Sequence, residues 1–247
     1  MPTDGNPIQA ILLDIEGTTT PIDFVFRTLF PFARQRLGQF LLDHGSEPDI
    51  RQDVDALRAH HRADAAAGLN PPEWREDSAG DAEMASAATY GAWLIDRDSK
   101  CPALKSLQGK IWQEGYRAGK LRGEVYPDVP PAFDRWSRQG KSICIFSSGS
   151  VLAQKLLFGN STAGNLTNYL RAYFDTTTGP KNAPESYRRI ACALSLETTT
   201  ILFLSDVAKE LDAASGAGMQ TALCVRGESA EQQKTAHRVI HSFEEIK

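Results

Sequence analysis

Short apolar runs that alternate with helical segments are the feature that most constrains the fold of this chain. Five runs predict strands, at residues 8–13, 142–147, 172–175, 200–205 and 220–225. Amphipathic segments predict helices at 128–138, 151–158, 183–194 and 207–216. Strands and helices in this alternating order predict an α/β fold, with a mainly parallel sheet and helices on both of its faces.

The interval 21–126 differs from the rest of the chain because it contains no convincing strand. Its apolar residues recur at helical spacing, for example Phe32, Leu37, Phe40 and Leu41. We therefore predict two parts: an α/β core made of 1–20 and 127–247, and an all-helical cap, 21–126, inserted after the first strand. Such a cap would cover the carboxyl ends of the strands, where open α/β sheets bind ligands.

Composition excludes several classes of protein. The net charge is −4 and no basic stripe is evident, so we expect no nucleic-acid partner. No apolar run approaches the roughly 20 residues of a membrane span, and residues 1–6 do not resemble a signal peptide. The cysteines are widely separated, which favours buried free thiols in a reducing cytoplasm. With no exposed apolar stripe, we expect a monomer.

The first predicted strand ends on Asp14-Ile15-Glu16-Gly17-Thr18-Thr19. Side chains two apart on a strand project to the same side, so Asp14 and Glu16 are expected to lie together. Gly17 allows a sharp turn, and the hydroxyl and N–H groups that follow it can face an anion. These residues predict a site for a metal and a phosphate.

The other strand ends carry further candidates, each with a structural alternative. Ser147 and Ser148 begin a turn into a helix, which suits a phosphate but is also an ordinary helix cap. Lys181 could neutralise a phosphoryl group or simply be solvated. Asp206 could bind magnesium through its carboxylate or cap its helix, and Glu210 could orient Asp206 or lie on the helix surface.

Taken in chain order, these four signals resemble the four motifs of the haloacid dehalogenase-type phosphohydrolases. The usual first motif of that superfamily is Asp-x-Asp-x-Thr, whereas this chain has Glu16 at the second acidic position. With Glu16 at that position and with five further segments, the sequence resembles the enolase-phosphatases of methionine salvage over nearly the whole chain. The segments are Phe24-Val25, Leu29-Phe30-Pro31, Trp112-Gln113-Glu114-Gly115-Tyr116, Ser147-Ser148-Gly149-Ser150 and Gln154-Lys155-Leu156-Leu157-Phe158-Gly159. The resemblance is weaker around 179–187 and at Asp23 and Arg27.

The resemblance implies a Rossmann-like, haloacid dehalogenase-type core and a role for each candidate. Asp14 is implied as the nucleophile and Glu16 as the general acid–base. Ser147, Ser148 and Lys181 are implied to bind the phosphoryl group. One Mg²⁺ per subunit is implied, held by Asp14, Asp206 and the main-chain carbonyl of Glu16.

The implied substrate is a small diketo phosphate, 2,3-diketo-5-methylthiopentyl 1-phosphate, which is enolised and then dephosphorylated to an acireductone. No residue in the sequence identifies the base for enolisation. Two alternatives stay open at this point: a phosphatase of the same superfamily with another ester as substrate, and a non-catalytic module that binds metal or phosphate.

Overall fold

The computed structural model describes residues 7–75, 80–227 and 235–247. Contacts divide the chain into two compact units, Met1–Phe24 with Arg122–Lys247, and Val25–Leu121. The unit boundaries lie slightly inside the predicted helical insertion of 21–126. The assignment of these units as a catalytic core and a cap stays a prediction.

The first unit is built on a six-stranded sheet in the order β3-β2-β1-β4-β5-β6, in which every neighbouring pair is parallel. The strands are β1 Ala10–Leu13, β2 Ser142–Phe146, β3 Leu170–Phe174, β4 Ile201–Ser205, β5 Gln220–Cys224 and β6 Arg238–Ile240. Strand β1 lies in the middle, with Leu13 paired to Ile145 on one side and to Leu204 on the other. The predicted parallel α/β sheet is confirmed, and the carboxyl ends of β2, β1 and β4 are neighbours.

The α-helices of this unit lie between its strands along the chain. They are α1 Ile22–Phe24, α6 Val129–Arg138, α7 Val151–Gly159, α8 Pro184–Leu194 and α9 Ala208–Gly216. One face of the sheet packs its alternate residues, Ala10 and Leu12 among them, against Tyr187 of α8 and Leu211 of α9. Burial of these apolar faces is the main force that holds the helices on the sheet.

In the described part of the second unit, the regular elements are all helices, as predicted for the insertion. A π-helix, Val25–Leu29, precedes α2 Phe30–His44, α3 Pro48–Ala66, α4 Asp81–Ile95 and α5 Pro102–Arg117. Proline stands in the first turn of α2, α3 and α5, where its missing N–H leaves no hydrogen bond unmade. Leu37, Val54, Leu57 and Leu107 form part of the buried core.

The structure departs from the sequence analysis at β6 and Cys192, and it describes only part of one predicted helix. Strand β6 was not predicted, because three residues in a polar setting give little periodicity. Residues 226–237 are polar, a pattern that predicts a surface helix. Most of that stretch, 228–234, lies outside the described residues, and the described remainder is not helical. All cysteines are free, but Cys192 is exposed rather than buried. In the described part of the chain, no helix is long and apolar enough to span a membrane.

Candidate active site

Asp14 continues β1 by one residue at the carboxyl edge of the sheet. Its N–H donates to the carbonyl of Leu204 at 3.0 Å, and its side chain is almost fully buried. Asp14 has the same strand parity as Ala10 and Leu12, so it points to the face covered by α8 and α9. A carboxylate buried there requires partners of opposite charge or hydrogen-bond donors.

Lys181 supplies that partner. Its Nζ lies 2.5 Å from Asp14 Oδ1 and 2.7 Å from Glu210 Oε2. The loop that carries it is anchored to α8, where Tyr187 donates its hydroxyl to the Lys181 carbonyl at 2.7 Å. Gly179, with φ of +146°, passes so close to Ser186 that a Cβ atom would collide with the serine hydroxyl. The loop lysine is therefore a buried, fixed cation rather than a solvated one.

Glu16 reaches the site by a different route from the one predicted. The strand ends at Leu13, and Glu16 lies in a turn where it forms an isolated bridge with Thr20, so strand alternation does not align it with Asp14. Its Oε2 instead lies 3.3 Å from the hydroxyl of Ser147, at the end of β2. Burial, and then the negative charge of Asp14, raise the pKa of Glu16 above its usual range. The turn thus brings the two acids together.

The serine hydroxyls in the turn after β2 have different hydrogen-bond partners. Ser150 is the residue that caps α7, because its Oγ accepts from the N–H of Ala153 at 3.3 Å. Ser147 is fully buried and accepts from the N–H of Gly149 at 3.0 Å, while Ser148 is half-buried in the same turn. Ser147 is therefore oriented toward Glu16 and is not used as a cap.

Asp206 directly follows β4 and lies against the turn at Gly17. A Cβ atom on Gly17 would collide with the Asp206 carboxylate, and the φ of Gly17 is +71°, so glycine is required there on two counts. Helix α9 has Val207 at its N-cap without a side-chain hydrogen bond, so Asp206 does not cap it. Oδ1 of Asp206 is buried and has no hydrogen-bond partner.

Burial and mutual repulsion disfavour the charged forms of the acids in this cluster. Burial, and then the charge of Asp14, raise the pKa of Asp206 to about 7, and the same two causes raise the pKa of Glu210. Burial alone would lower the pKa of Lys181, but the carboxylates of Asp14 and Glu210 raise it overall. A single lysine therefore offsets several carboxyl groups, and a further cation would relieve them.

The donor set suits Mg²⁺. The described residues contain no group of three or more His, Cys, Asp or Glu side chains placed to hold a metal. Mg²⁺ commonly takes one or two carboxylates and completes its shell with waters and substrate phosphate. Asp14 and the unpartnered Oδ1 of Asp206 are two carboxylates of this kind, so a third acidic side chain is not needed.

Comparison with known proteins places this chain in a family. A family model described as haloacid dehalogenase-like hydrolase matches residues 8–218. Enolase-phosphatase E1 of Synechococcus elongatus is 50% identical over 97% of this chain and 98% of its own length. The enzyme of that name from Sorangium cellulosum is 44% identical over 97% of each chain. The chain belongs to the enolase-phosphatase family of haloacid dehalogenase-like hydrolases.

A solved structure agrees with the family assignment. The UTR4 protein of Saccharomyces cerevisiae superposes with a TM-score of 0.74 at 33% identity, over 97% of this chain and 100% of its own. The resemblance drawn from the motifs is therefore confirmed. Within the enolase-phosphatase fold of this chain, Asp14, Glu16, Ser147, Lys181, Asp206 and Glu210 converge on one edge of the sheet.

Sequence reasoning missed Ser205. Its Oγ lies 3.1 Å from Glu210 Oε2 and 3.4 Å from Asp14 Oδ2, and it accepts from the N–H of Val207 at 3.1 Å. The available signal was a polar residue that closes an otherwise apolar strand. Ser205 gives Glu210 a position inside the cluster, which rules out the helix-surface alternative for that acid.

Gln154 of α7 also contacts the serine turn, which sequence reasoning did not predict. It is buried, and its Nε2 donates to the carbonyls of Gly149 and Phe174, each at 2.9 Å. These bonds join the serine turn to the end of β3. Gln154 therefore fixes the backbone on which Ser147 and Ser148 stand.

Proposed function

We propose that this enolase-phosphatase converts 2,3-diketo-5-methylthiopentyl 1-phosphate to 1,2-dihydroxy-3-keto-5-methylthiopentene and phosphate, as a step of methionine salvage. The main support for the proposal is that the motifs at the other strand ends converge on the buried carboxylate of Asp14. Lys181 lies 2.5 Å from Asp14, and Glu16 lies 3.3 Å from Ser147. Catalysis of phosphoryl transfer depends mostly on positioning and charge stabilisation, which this arrangement supplies.

Asp14 is proposed as the nucleophile. Its carboxylate oxygen attacks phosphorus and forms an aspartyl-phosphate, while the bond from phosphorus to the ester oxygen breaks. Water then attacks the aspartyl-phosphate, releases inorganic phosphate and restores the carboxylate. Burial and the ion pair with Lys181 hold Asp14 in a single orientation before substrate arrives.

Glu16 is proposed as the general acid–base. Its raised pKa keeps a proton available for the departing ester oxygen, and the resulting carboxylate can take a proton from the attacking water. The hydroxyl of Ser147 lies within hydrogen-bond distance of Glu16 and steadies the ionised form. General acid–base help of this kind contributes roughly 10²–10⁴-fold in rate.

Ser147, Ser148 and Lys181 are proposed to bind the phosphoryl oxygens. The serines lie just before α7, and the positive end of that helix's dipole favours an anion. Lys181 keeps its proton because of its two carboxylate neighbours, so it provides a constant positive charge. Donors fixed in advance stabilise the charge that develops in the transition state.

Mg²⁺ is proposed as the cofactor, one per subunit. Asp14, Asp206 and the main-chain carbonyl of Glu16 would hold it, and when bound it would offset the repulsion between carboxylate and phosphate. Asp206 has the partnerless buried oxygen expected of such a ligand. Glu210 and Ser205 then orient Lys181 and Asp14 rather than touching substrate.

One experiment separates this function from that of a general phosphatase. The protein is mixed with the diketo phosphate and Mg²⁺, and enol absorbance is followed together with free phosphate. Both signals are expected. Phosphate without the enol product would favour a phosphatase for another small ester, and neither signal would favour a non-catalytic module.

The nucleophile assignment is tested with a matched pair of variants. Asp14→Asn should abolish phosphate release, because an amide cannot form the aspartyl-phosphate. Asp134→Asn changes an aspartate that pairs with Arg138 on α6, and it should retain full activity. Turnover by the Asp14 variant would overturn the assignment.

A further inference from the structure

Arg226 follows β5 and is mostly buried, although no sequence motif marks it. Its Nε and Nη2 both donate to the carbonyl of Thr18, at 3.1 Å and 2.9 Å. Only 9% of its side chain is exposed. When two N–H groups of one guanidinium donate to the same main-chain carbonyl, they fix the direction of that carbonyl. The reason is that the guanidinium is planar and its N–H groups cannot rotate separately.

The carbonyl that Arg226 binds belongs to the turn that carries Glu16. In that turn the N–H groups of Thr18, Thr19 and Thr20 all donate to the carbonyl of Ile15, at 2.9–3.1 Å. The carbonyls of Thr18 and Thr19 accept hydrogen bonds from residues outside the turn. Arg226 binds Thr18, and the N–H of Tyr126 binds Thr19 at 2.9 Å.

The guanidinium is itself held from three directions. Its carbon lies 4.5 Å from the ring centroids of both Tyr126 and Phe243. Its Nη1 donates to Asp128 Oδ2 at 2.7 Å. Burial alone would raise the pKa of Asp128, but hydrogen bonds from Arg226 and from the N–H of Phe243 lower it overall.

Asp128 extends this connection to the carboxyl-terminal segment. The same Oδ2 accepts from the Ser242 hydroxyl at 3.0 Å and from the Phe243 N–H at 2.6 Å. A chain of bonds thus runs from residues 242–243 through Asp128 and Arg226 to Thr18. None of these residues belongs to the proposed catalytic set.

We propose that Arg226, fixed by Asp128 and Phe243, is a positioning residue that holds the Glu16 turn in its catalytic conformation. Without it, the buried carbonyl of Thr18 would lack its donors and Asp128 would lose its cation. The turn would then shift to find water, and Glu16 would move relative to Asp14. This inference rests on the proposed catalytic roles of Asp14 and Glu16.

The test compares Arg226→Gln with Arg135→Gln. Arg135 is the matched control because it donates to the carbonyls of Phe243 and Ile246, at 2.7 Å and 3.0 Å, and so anchors the same segment without touching the turn. The readouts are kcat and KM for the diketo phosphate, and hydrogen exchange at the amides of residues 18–20.

Arg226→Gln should lower kcat about 10–100-fold with KM changed less than about 3-fold, since a displaced catalytic group affects turnover more than binding. Exchange at residues 18–20 should accelerate about 10-fold or more. Arg135→Gln should reduce thermal stability yet leave kcat and this exchange near wild type. If Arg226→Gln does not fold, Arg226→Lys, which keeps the charge beside Asp128, is measured in the same way.

Unchanged kcat and unchanged exchange in the Arg226 variant would overturn the inference, as would equal losses in the two variants. If the wild type releases no phosphate from the diketo phosphate, the proposed function fails. The exchange rates then still decide whether Arg226 holds the turn.

Discussion

Replacement of Asp206 by Asn should stabilise the metal-free protein while it abolishes activity. The carboxylate is buried near Asp14, and these causes raise its pKa from 3.8 to about 7. Each step of one in pKa corresponds to about 1.4 kcal/mol, so ionised Asp206 costs the metal-free fold about 4 kcal/mol at most. Local relaxation and water entry reduce this to about 1–2 kcal/mol.

The sign follows from proton linkage. The pKa of Asp206 is higher in the folded than in the unfolded state, so folding takes up a proton between about pH 4 and pH 7. Its contribution to stability therefore falls as pH rises through that window. The neutral amide of the Asp206→Asn protein lacks this loss, and most of the difference between the two proteins should disappear near pH 4.5.

The assay is thermal unfolding of both proteins in EDTA and in Mg²⁺. At pH 8 in EDTA, the variant should melt about 2–8 °C higher than the wild type, given about 2–4 °C per kcal/mol for a chain of this size. Mg²⁺ should raise the melting temperature of the wild type and leave that of the variant nearly unchanged. Asp134→Asn is the control and should match the wild type in every condition.

A variant that melts below the wild type in EDTA at pH 8 would refute the reasoning. It would mean that the carboxylate of Asp206 stabilises the fold through its contacts and that no cation is needed to balance it. An equal response of both proteins to Mg²⁺ would remove Asp206 from the metal site.

The remaining predictions concern the same cluster. Lys181→Met should destabilise the protein by about 3 kcal/mol at pH 7.5 in urea unfolding, because Asp14 and Glu210 lose their buried cation. Lys155→Met, whose ammonium lies over the Tyr173 ring, should change stability far less, and equal losses would contradict the ion-pair argument. Gly17→Ala should lower phosphate release at least about 100-fold, because its Cβ would displace Asp206 and strain a positive φ. Activity near wild type in that variant would show that the turn tolerates the shift.

The sequence alone was sufficient for the parallel sheet, the helical insertion and the strand-end acids. Apolar runs and helical periodicity are local signals, and in parallel strands they also predict which ends meet at one edge. Asp14 and Asp206 were predictable for that reason. Glu16 does lie near Asp14, but the geometric argument that predicted this was wrong, since its turn and not strand alternation brings it close.

Only the tertiary structure decided which groups pair and how their charges balance. Three contacts join residues far apart in the chain. Lys181 is buried between Asp14 and Glu210, and Ser205 contacts both of these acids. Arg226 donates hydrogen bonds to the carbonyl of Thr18. No local pattern carries such information, because a hydrogen bond or ion pair depends on the final separation of two atoms. The sequence determined which chemical groups reach the sheet edge, and packing determined how they act on one another.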